Sequence, residues 1–156
     1  MKPVTAIIAE DEPLLRMEIR EALRSLWPDL CVAAEAGDGF EAIEAADRIA
    51  PDIVFLDIHM PGVSGLDVAA HVSGRAHVVF ISAFDQHALA AFERGAIDYI
   101  LKPISIARMK LTVERLQARL REAPVDLQSL VAMLRGAGTS EPQYLKWLSV
   151  LSWTGV

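Results

Sequence analysis

DIVFLDIHMPGVSG, residues 52–65, decides the fold. The opening residues Ile53 to Leu56 are apolar at consecutive rather than alternate positions, which is the pattern of a strand buried on both faces. The run closes on an acid, Asp57. Pro61, Gly62 and Gly65 then mark a loop, and a helix is expected around Leu66 to Val72. A strand with no watery side needs helices above and below it, so one such unit implies others beside it.

Working outward, the same alternation recurs. VTAIIA (4–9) ends in Glu10-Asp11-Glu12-Pro13, a loop with proline at a helix start, and Leu15, Ile19, Ala22, Leu23 and Leu26 follow at three- and four-residue steps until Pro28. LCVAAEA (30–36) precedes FEAIEAADRIA (40–50), HVVFIS (77–82) precedes a helix over about Gln86 to Arg94, and DYIL (98–101) precedes one beginning near Ser105. In that last helix Ile106, Met109, Val113, Leu116 and Leu120 form a seam suited to the core and to a partner helix. Five βα units predict an α/β fold: a doubly wound, five-stranded parallel sheet with helices on both faces. Such folds bind ligands outside the carboxyl ends of their strands. That edge would gather Glu10, Asp11, Asp57, Ser82 and Lys102, scattered in sequence, into one place.

The 156 residues, 53% hydrophobic and 23% charged, suit one domain with a short appendage, since domains take about 100–200 residues. The single cysteine, Cys31, excludes a disulfide framework or a cysteine-rich zinc site and fits a reducing compartment. Charges or prolines interrupt every apolar run, and the start Met1-Lys2-Pro3 has no signal-peptide core, so a soluble cytoplasmic protein without membrane contact is expected. Residues 1–60 carry 13 of the 21 acidic side chains and only 5 of the 15 basic ones. An acidic pole of this kind disfavours phosphate backbones and favours cations, so direct nucleic-acid contact is not expected. After Pro124, Leu127, Leu130, Val131 and Leu134 suggest a short amphipathic helix, Gly136 to Pro142 reads as a linker, and YLKWL (144–148) as the opening of something that stops.

Three carboxylates meeting at strand ends repel one another by roughly 4 kcal/mol per close pair at an effective dielectric of about 20, so Glu10, Asp11 and Asp57 require a counter-charge. All-oxygen ligands without a histidine or cysteine cluster suit Mg²⁺, or Mn²⁺, rather than Zn²⁺. Lys102, followed by Pro103, supplies a second positive group able to hold an anion beside the metal. A metal, a lysine and the Ser82 hydroxyl around one carboxylate make a phosphoryl-transfer site, with Asp57 as the nucleophile.

AEDEP (9–13), FLDIHMPGVSGLD (55–67), VVFISAF (78–84) and AIDYILKPI (96–104) together resemble the receiver domain of bacterial two-component response regulators, over residues 4 to about 121. An acidic pair, a D-x-x-M-P-G run, a serine 25 residues past Asp57 and a Lys-Pro 45 past it occur in that order. The resemblance implies a flavodoxin-like sheet of order 2-1-3-4-5. It also implies transfer of a phosphoryl group from a sensor histidine kinase to Asp57, with Mg²⁺ bound by Asp11, Asp57 and the backbone carbonyl of His59, and Glu10 acting through water. Ser82 and Lys102 match the family's phosphate contacts and Tyr99 its switch aromatic. The domain would be a phosphoacceptor switch rather than a turnover enzyme. Phosphorylation would alter the surface of the helix over 86–94, strand 98–101 and the helix after Ser105, controlling homodimerisation or output. Two positions depart from the common pattern: Glu10 stands where many receivers have Asp, and Ser82 where Thr is commoner. The His59 imidazole would have at most a tuning role, and His71, His77 and His87 are expected to be surface or packing residues.

FDQHALAAFERGAIDYILKPI together with YLKWL also resembles regulators carrying a C-terminal LytTR-type DNA-binding domain. This divides the chain into a receiver, 1–122, and a helical linker or tail, 123–156, with an output domain beginning near Tyr144 that is truncated or lost. Trp147 and Trp153 would then be left without their usual surroundings.

Three rival readings fit the residues less well. GDGFEA (37–42) fits a dinucleotide fingerprint, G-x-G-x-x-A, but follows the second strand, while the first turn is acidic and would repel a pyrophosphate; its glycines more simply allow a tight turn. An aspartate-nucleophile phosphatase would want a second aspartate where His59 stands. A degenerate receiver, acting only as an interaction module, would have an incomplete acidic set.

Overall fold

The computed structural model describes residues 2–83 and 96–139, with the side chains of 134 and 136–139 excepted. The strands are β1 (Thr5–Ala9), β2 (Cys31–Ala36), β3 (Ile53–Asp57), β4 (His77–Ser82) and β5 (Asp98–Leu101). The helices are α1 (Pro13–Leu26), α2 (Gly39–Ile49), α3 (Gly65–Val72), α4 (Ile106–Arg119) and α5 (Gln128–Thr139). All ladders are parallel and the sheet order is β2-β1-β3-β4-β5. The expected helix over 86–94, with His87, lies outside the described residues, as do Tyr144, Trp147 and Trp153.

Every residue of β3 and β4 is buried. Alternate positions serve opposite faces: Ile7, Ala9, Val54, Leu56, Val78 and Phe80 belong to the core under α2 and α3, whereas Ala6, Ile8, Phe55, Val79 and Ile81 face α1 and α4. Two cores on one sheet explain why the strands read as continuous apolar runs. Burial of each large side chain contributes about 1.5–3 kcal/mol. The helix starts are fixed locally. Pro13 occupies the first turn of α1, Asp38 Oδ1 accepts the Glu41 N–H at 2.8 Å, Ser105 Oγ accepts the Arg108 N–H at 3.1 Å, and Ser64 with Asp67 forms a capping box. In α4, Met109, Val113 and Leu116 are buried, so the seam serves the core, while Ile106 at its start is exposed.

One expectation is corrected. Gly136 to Thr139, read as linker, continue helix α5. Leu127, Leu130 and Val131 are buried beside α3, and this packing outweighs the cost of about 1 kcal/mol that each glycine adds to a helix. The turn expected at Gly37 to Gly39 is tight, with two residues between Ala36 and Gly39, although neither glycine is left-handed. Gly39 is required for space, since a Cβ there would lie 2.0 Å from the carbonyl oxygen of Val63.

The segment leading into α5 crosses to the α3–β4 connection. Gly74 N–H donates to the Val125 carbonyl, the Ser73 hydroxyl donates to Asp126 and accepts the Leu127 N–H, and the Gln128 side chain donates to the Ala70 carbonyl. Farther along, Arg135 pairs with Asp67. Cys31 is a free, exposed thiol on β2. Among the described residues no helix is long and apolar enough to cross a membrane.

Candidate functional site

Four parallel strands deliver polar groups to one edge of the sheet. Glu10 and Asp11 follow β1, Asp57 ends β3, Ser82 ends β4 and Lys102 follows β5. Carboxylate oxygens of Glu10, Asp11 and Asp57 lie within 4.8 Å of one another. Glu10 and Asp57 are buried and Asp11 is more open. The Lys102 ammonium stands 2.9 Å from Glu10 Oε1 and 3.4 Å from Asp57 Oδ2. The Lys102–Pro103 peptide bond is cis. The Lys102 N–H donates to the Ser82 carbonyl at 2.8 Å, which joins the two strand ends.

The charges do not balance within the protein. Burial, reinforced by the Asp57 carboxylate and opposed by Lys102, pushes the Glu10 carboxyl up to about 8. Burial and Asp57 also raise Asp11. Burial alone would lower Lys102, but Glu10 and Asp57 outweigh it and raise the ammonium above its ordinary value. Both Glu10 oxygens are buried without an aligned hydrogen bond, Lys102 being near Oε1 but out of line. An under-partnered acid beside two further carboxylates, with oxygen donors only, fits a hard divalent cation.

The remaining expected residues are placed as follows. Ser82 is fully buried and sits next along β4 to Ile81, which is paired with Asp57. His59 is exposed, and its N–H donates to Asp57 Oδ1 at 3.1 Å. Tyr99 is only 3% exposed, with its ring 6.3 Å from that of Phe80, so the aromatic already lies inward. His71 bonds Asp47 on the surface at 2.7 Å, and His77 is buried.

Sequence reading passed over several supporting residues. Gly65 abuts the Asp57 backbone: a Cβ there would lie 2.0 Å from the Asp57 carbonyl oxygen. Arg16 Nη1 donates to the Glu10 carbonyl at 2.7 Å. Asp98, fully buried, accepts from Arg108 (2.8 and 2.5 Å), Arg115 (2.7 Å), the Thr112 hydroxyl (2.6 Å) and the Tyr99 N–H (2.8 Å). An acid inside an apolar strand, with Arg108, Thr112 and Arg115 spaced along one helix face, was the available signal for that network.

The family model described as the response regulator receiver domain matches residues 6–114. An uncharacterized response regulatory protein of Vibrio cholerae is 44% identical over 151 residues, covering 92% of this chain and 58% of the relative. The transcriptional regulatory protein BtsR of Escherichia coli K12 is 38% identical over 126 residues, covering 80% of this chain and 52% of BtsR. The chain thus spans little more than half the length of these relatives. The crystal structure of the response regulatory domain of mrkE from Klebsiella pneumoniae superposes with a TM-score of 0.69 at 29% identity, covering 76% of this chain and 99% of that one.

Proposed function

This chain belongs to the response regulator receiver family, and from that premise we propose that Asp57 accepts a phosphoryl group from a sensor histidine kinase. The observation carrying this reading is the Lys102 ammonium between the buried Glu10 and Asp57 carboxylates. In the transfer the P–N bond to the donor histidine breaks as a P–O bond to Asp57 forms, so Asp57 must be unprotonated and the incoming oxygens need positive partners. Lys102 would supply one such partner, and the hydroxyl of Ser82, at the neighbouring strand end, would donate to the new phosphoryl group.

Asp11, Asp57 and the His59 carbonyl would hold Mg²⁺, or Mn²⁺, with Glu10 acting through water. When bound, that ion neutralises the clustered carboxylates and the phosphoryl oxygens. The domain is then a phosphoacceptor with only its own phosphorylation and dephosphorylation to perform, not a turnover enzyme. Phosphorylation would draw Ser82 inward and bias Tyr99 toward the inward packing that fills the vacated space, and the surface around β5 and α4 would carry the change to a homodimer or an output domain. The regulatory names of the relatives, and their greater length, support an output role in transcription, of the LytTR type read from the sequence. The whole regulator would act in the cytoplasm, with this segment making no direct nucleic-acid contact.

The test is incubation of the chain with Mg²⁺ and acetyl phosphate, followed by intact-mass measurement of the native protein and Asp57→Asn. A Mg²⁺-dependent phosphoryl adduct on the native chain alone is expected. No adduct, together with no Mg²⁺ binding, would leave an interaction module with a vestigial site.

A further inference from the structure

We propose that Arg16 is a positioning residue for the cation site, holding the peptide between Glu10 and Asp11 through the Glu10 carbonyl. The inference rests on the metal-assisted reading above and adds to it a residue outside the acidic set.

The geometry is specific. Glu10 sits between strand and helix, where its backbone would otherwise be free to turn. Its N–H donates to the Ala36 carbonyl at 3.0 Å, which ties it to β2. Its carbonyl accepts Arg16 Nη1 at 2.7 Å. The peptide that joins Glu10 to Asp11 is thereby held from α1 as well as from the sheet, and with it the directions in which both carboxylates leave the chain. Arg16 is anchored in turn: its Nε lies 3.6 Å from Glu35 Oε1, and Glu35 Oε2 is held at 2.9 Å by Arg20. The Arg16 side chain is only 22% exposed. A planar guanidinium spans a carbonyl and a carboxylate with separate nitrogens, which an ammonium does less well.

Charge and geometry make opposite predictions at this position. A positive side chain near a cation site repels the cation, so if Arg16 acted only as a charge, or only as a fold-stabilising contact, its removal would leave Mg²⁺ binding unchanged or tighter. If it orients the ligands, removal weakens binding, since loss of groups that orient metal ligands costs about 10–100-fold in affinity.

The experiment titrates the native chain, Arg16→Met and Arg16→Lys with MgCl₂ and MnCl₂ by calorimetry. It also measures the half-saturating Mg²⁺ for acetyl phosphate labelling, and thermal melting in EDTA checks the fold. Arg16→Met, which keeps the apolar stem, is expected to weaken Mg²⁺ binding about tenfold or more. Half-saturating Mg²⁺ should rise to match, far more than the rate at saturation falls, and Arg16→Lys should recover part of the loss. Should Arg16→Met not fold, weakened binding in Arg16→Lys supports the proposal and native-like binding overturns it. Equal or tighter binding in a folded Arg16→Met overturns the role of Arg16 while leaving the cation reading intact. A native chain that binds neither Mg²⁺ nor Mn²⁺ removes both.

Discussion

Lys102 and Asp57, 45 residues apart in sequence, meet with Nζ 3.4 Å from Oδ2, and the same ammonium lies closer still to Glu10. The lysine is therefore the resident counter-ion of the acidic cluster. Lys102→Ala removes a competing positive charge and should bind Mg²⁺ at least as tightly as the native chain in calorimetry. Labelling by acetyl phosphate, followed by mass, should be slowed, and any phosphorylation-dependent dimer seen by light scattering should be lost. Weaker Mg²⁺ binding in this variant would show that the lysine supports the metal rather than the anion.

Metal binding should depend on pH through Glu10. Its carboxyl is raised from 4.5 to about 8 by burial, so below that pH the cation must displace a proton. Mg²⁺ affinity should increase as pH rises from 6 to about 8 and then level off. In EDTA the sign for stability is opposite. Between 4.5 and about 8 the folded state holds the proton that the unfolded state releases, so stability falls with rising pH, by on the order of 1 kcal/mol per unit. Melting curves in EDTA at pH 5.5 and 8 test this, and Glu10→Gln should flatten the slope.

Asp98 should behave in the contrary sense. Burial alone would raise its carboxyl, but Arg108, Thr112 and the Tyr99 amide outweigh that and hold it below the usual range. Its stabilisation is present above about pH 4 and lost as acid protonates it in the folded state. Asp98→Ala removes the partner of Arg108 and Arg115, both partly exposed, together with the Thr112 and Tyr99 bonds, and should cost about 1–3 kcal/mol in urea unfolding at pH 7. A cost below 1 kcal/mol would mean that solvent already screens the network.

Gly65→Ala places a methyl group where the Asp57 backbone stands. Something must shift, with a stability cost of about 1–3 kcal/mol and displacement of Asp57. The expected result is a folded protein, by circular dichroism, whose labelling by acetyl phosphate is reduced at least tenfold. Native labelling would show that the β3–α3 loop can absorb the methyl group.

Leu130 is fully buried between α5 and the body. Leu130→Ala should cost about 2–5 kcal/mol, the range for a leucine deletion in a core, and a neutral result in urea unfolding would mean that α5 is only loosely docked.

The strands were legible in the sequence almost to the residue. Burial on both faces writes an unbroken apolar run, and an acid, serine or lysine at the carboxyl end marks where the run stops. The acidic cluster was legible for the same reason, since topology alone gathers strand ends. What escaped reading depended on the reach of side chains across the fold. Arg16 lies on a helix face that reads as solvated, yet it turns back onto a carbonyl. Asp98 finds partners 10 and 17 residues onward, visible only once β5 and α4 are packed together. The glycines of α5 suggested a linker because composition reports local preference and carries no record of the apolar face that α3 offers.

The path of α5 ties it to the helix that follows Asp57. The polypeptide passes beneath the amino ends of the strands at Val125 and runs back antiparallel to α3, from Ala70 opposite Gln128 to Asp67 opposite Arg135. A 12-residue helix climbs about 18 Å, nearly the depth of the sheet. Arg135 reaches Asp67, which belongs to the capping box of the helix that follows the Asp57 loop. The Asp57 loop and α5 are therefore joined through Asp67, by one capping box and one ion pair.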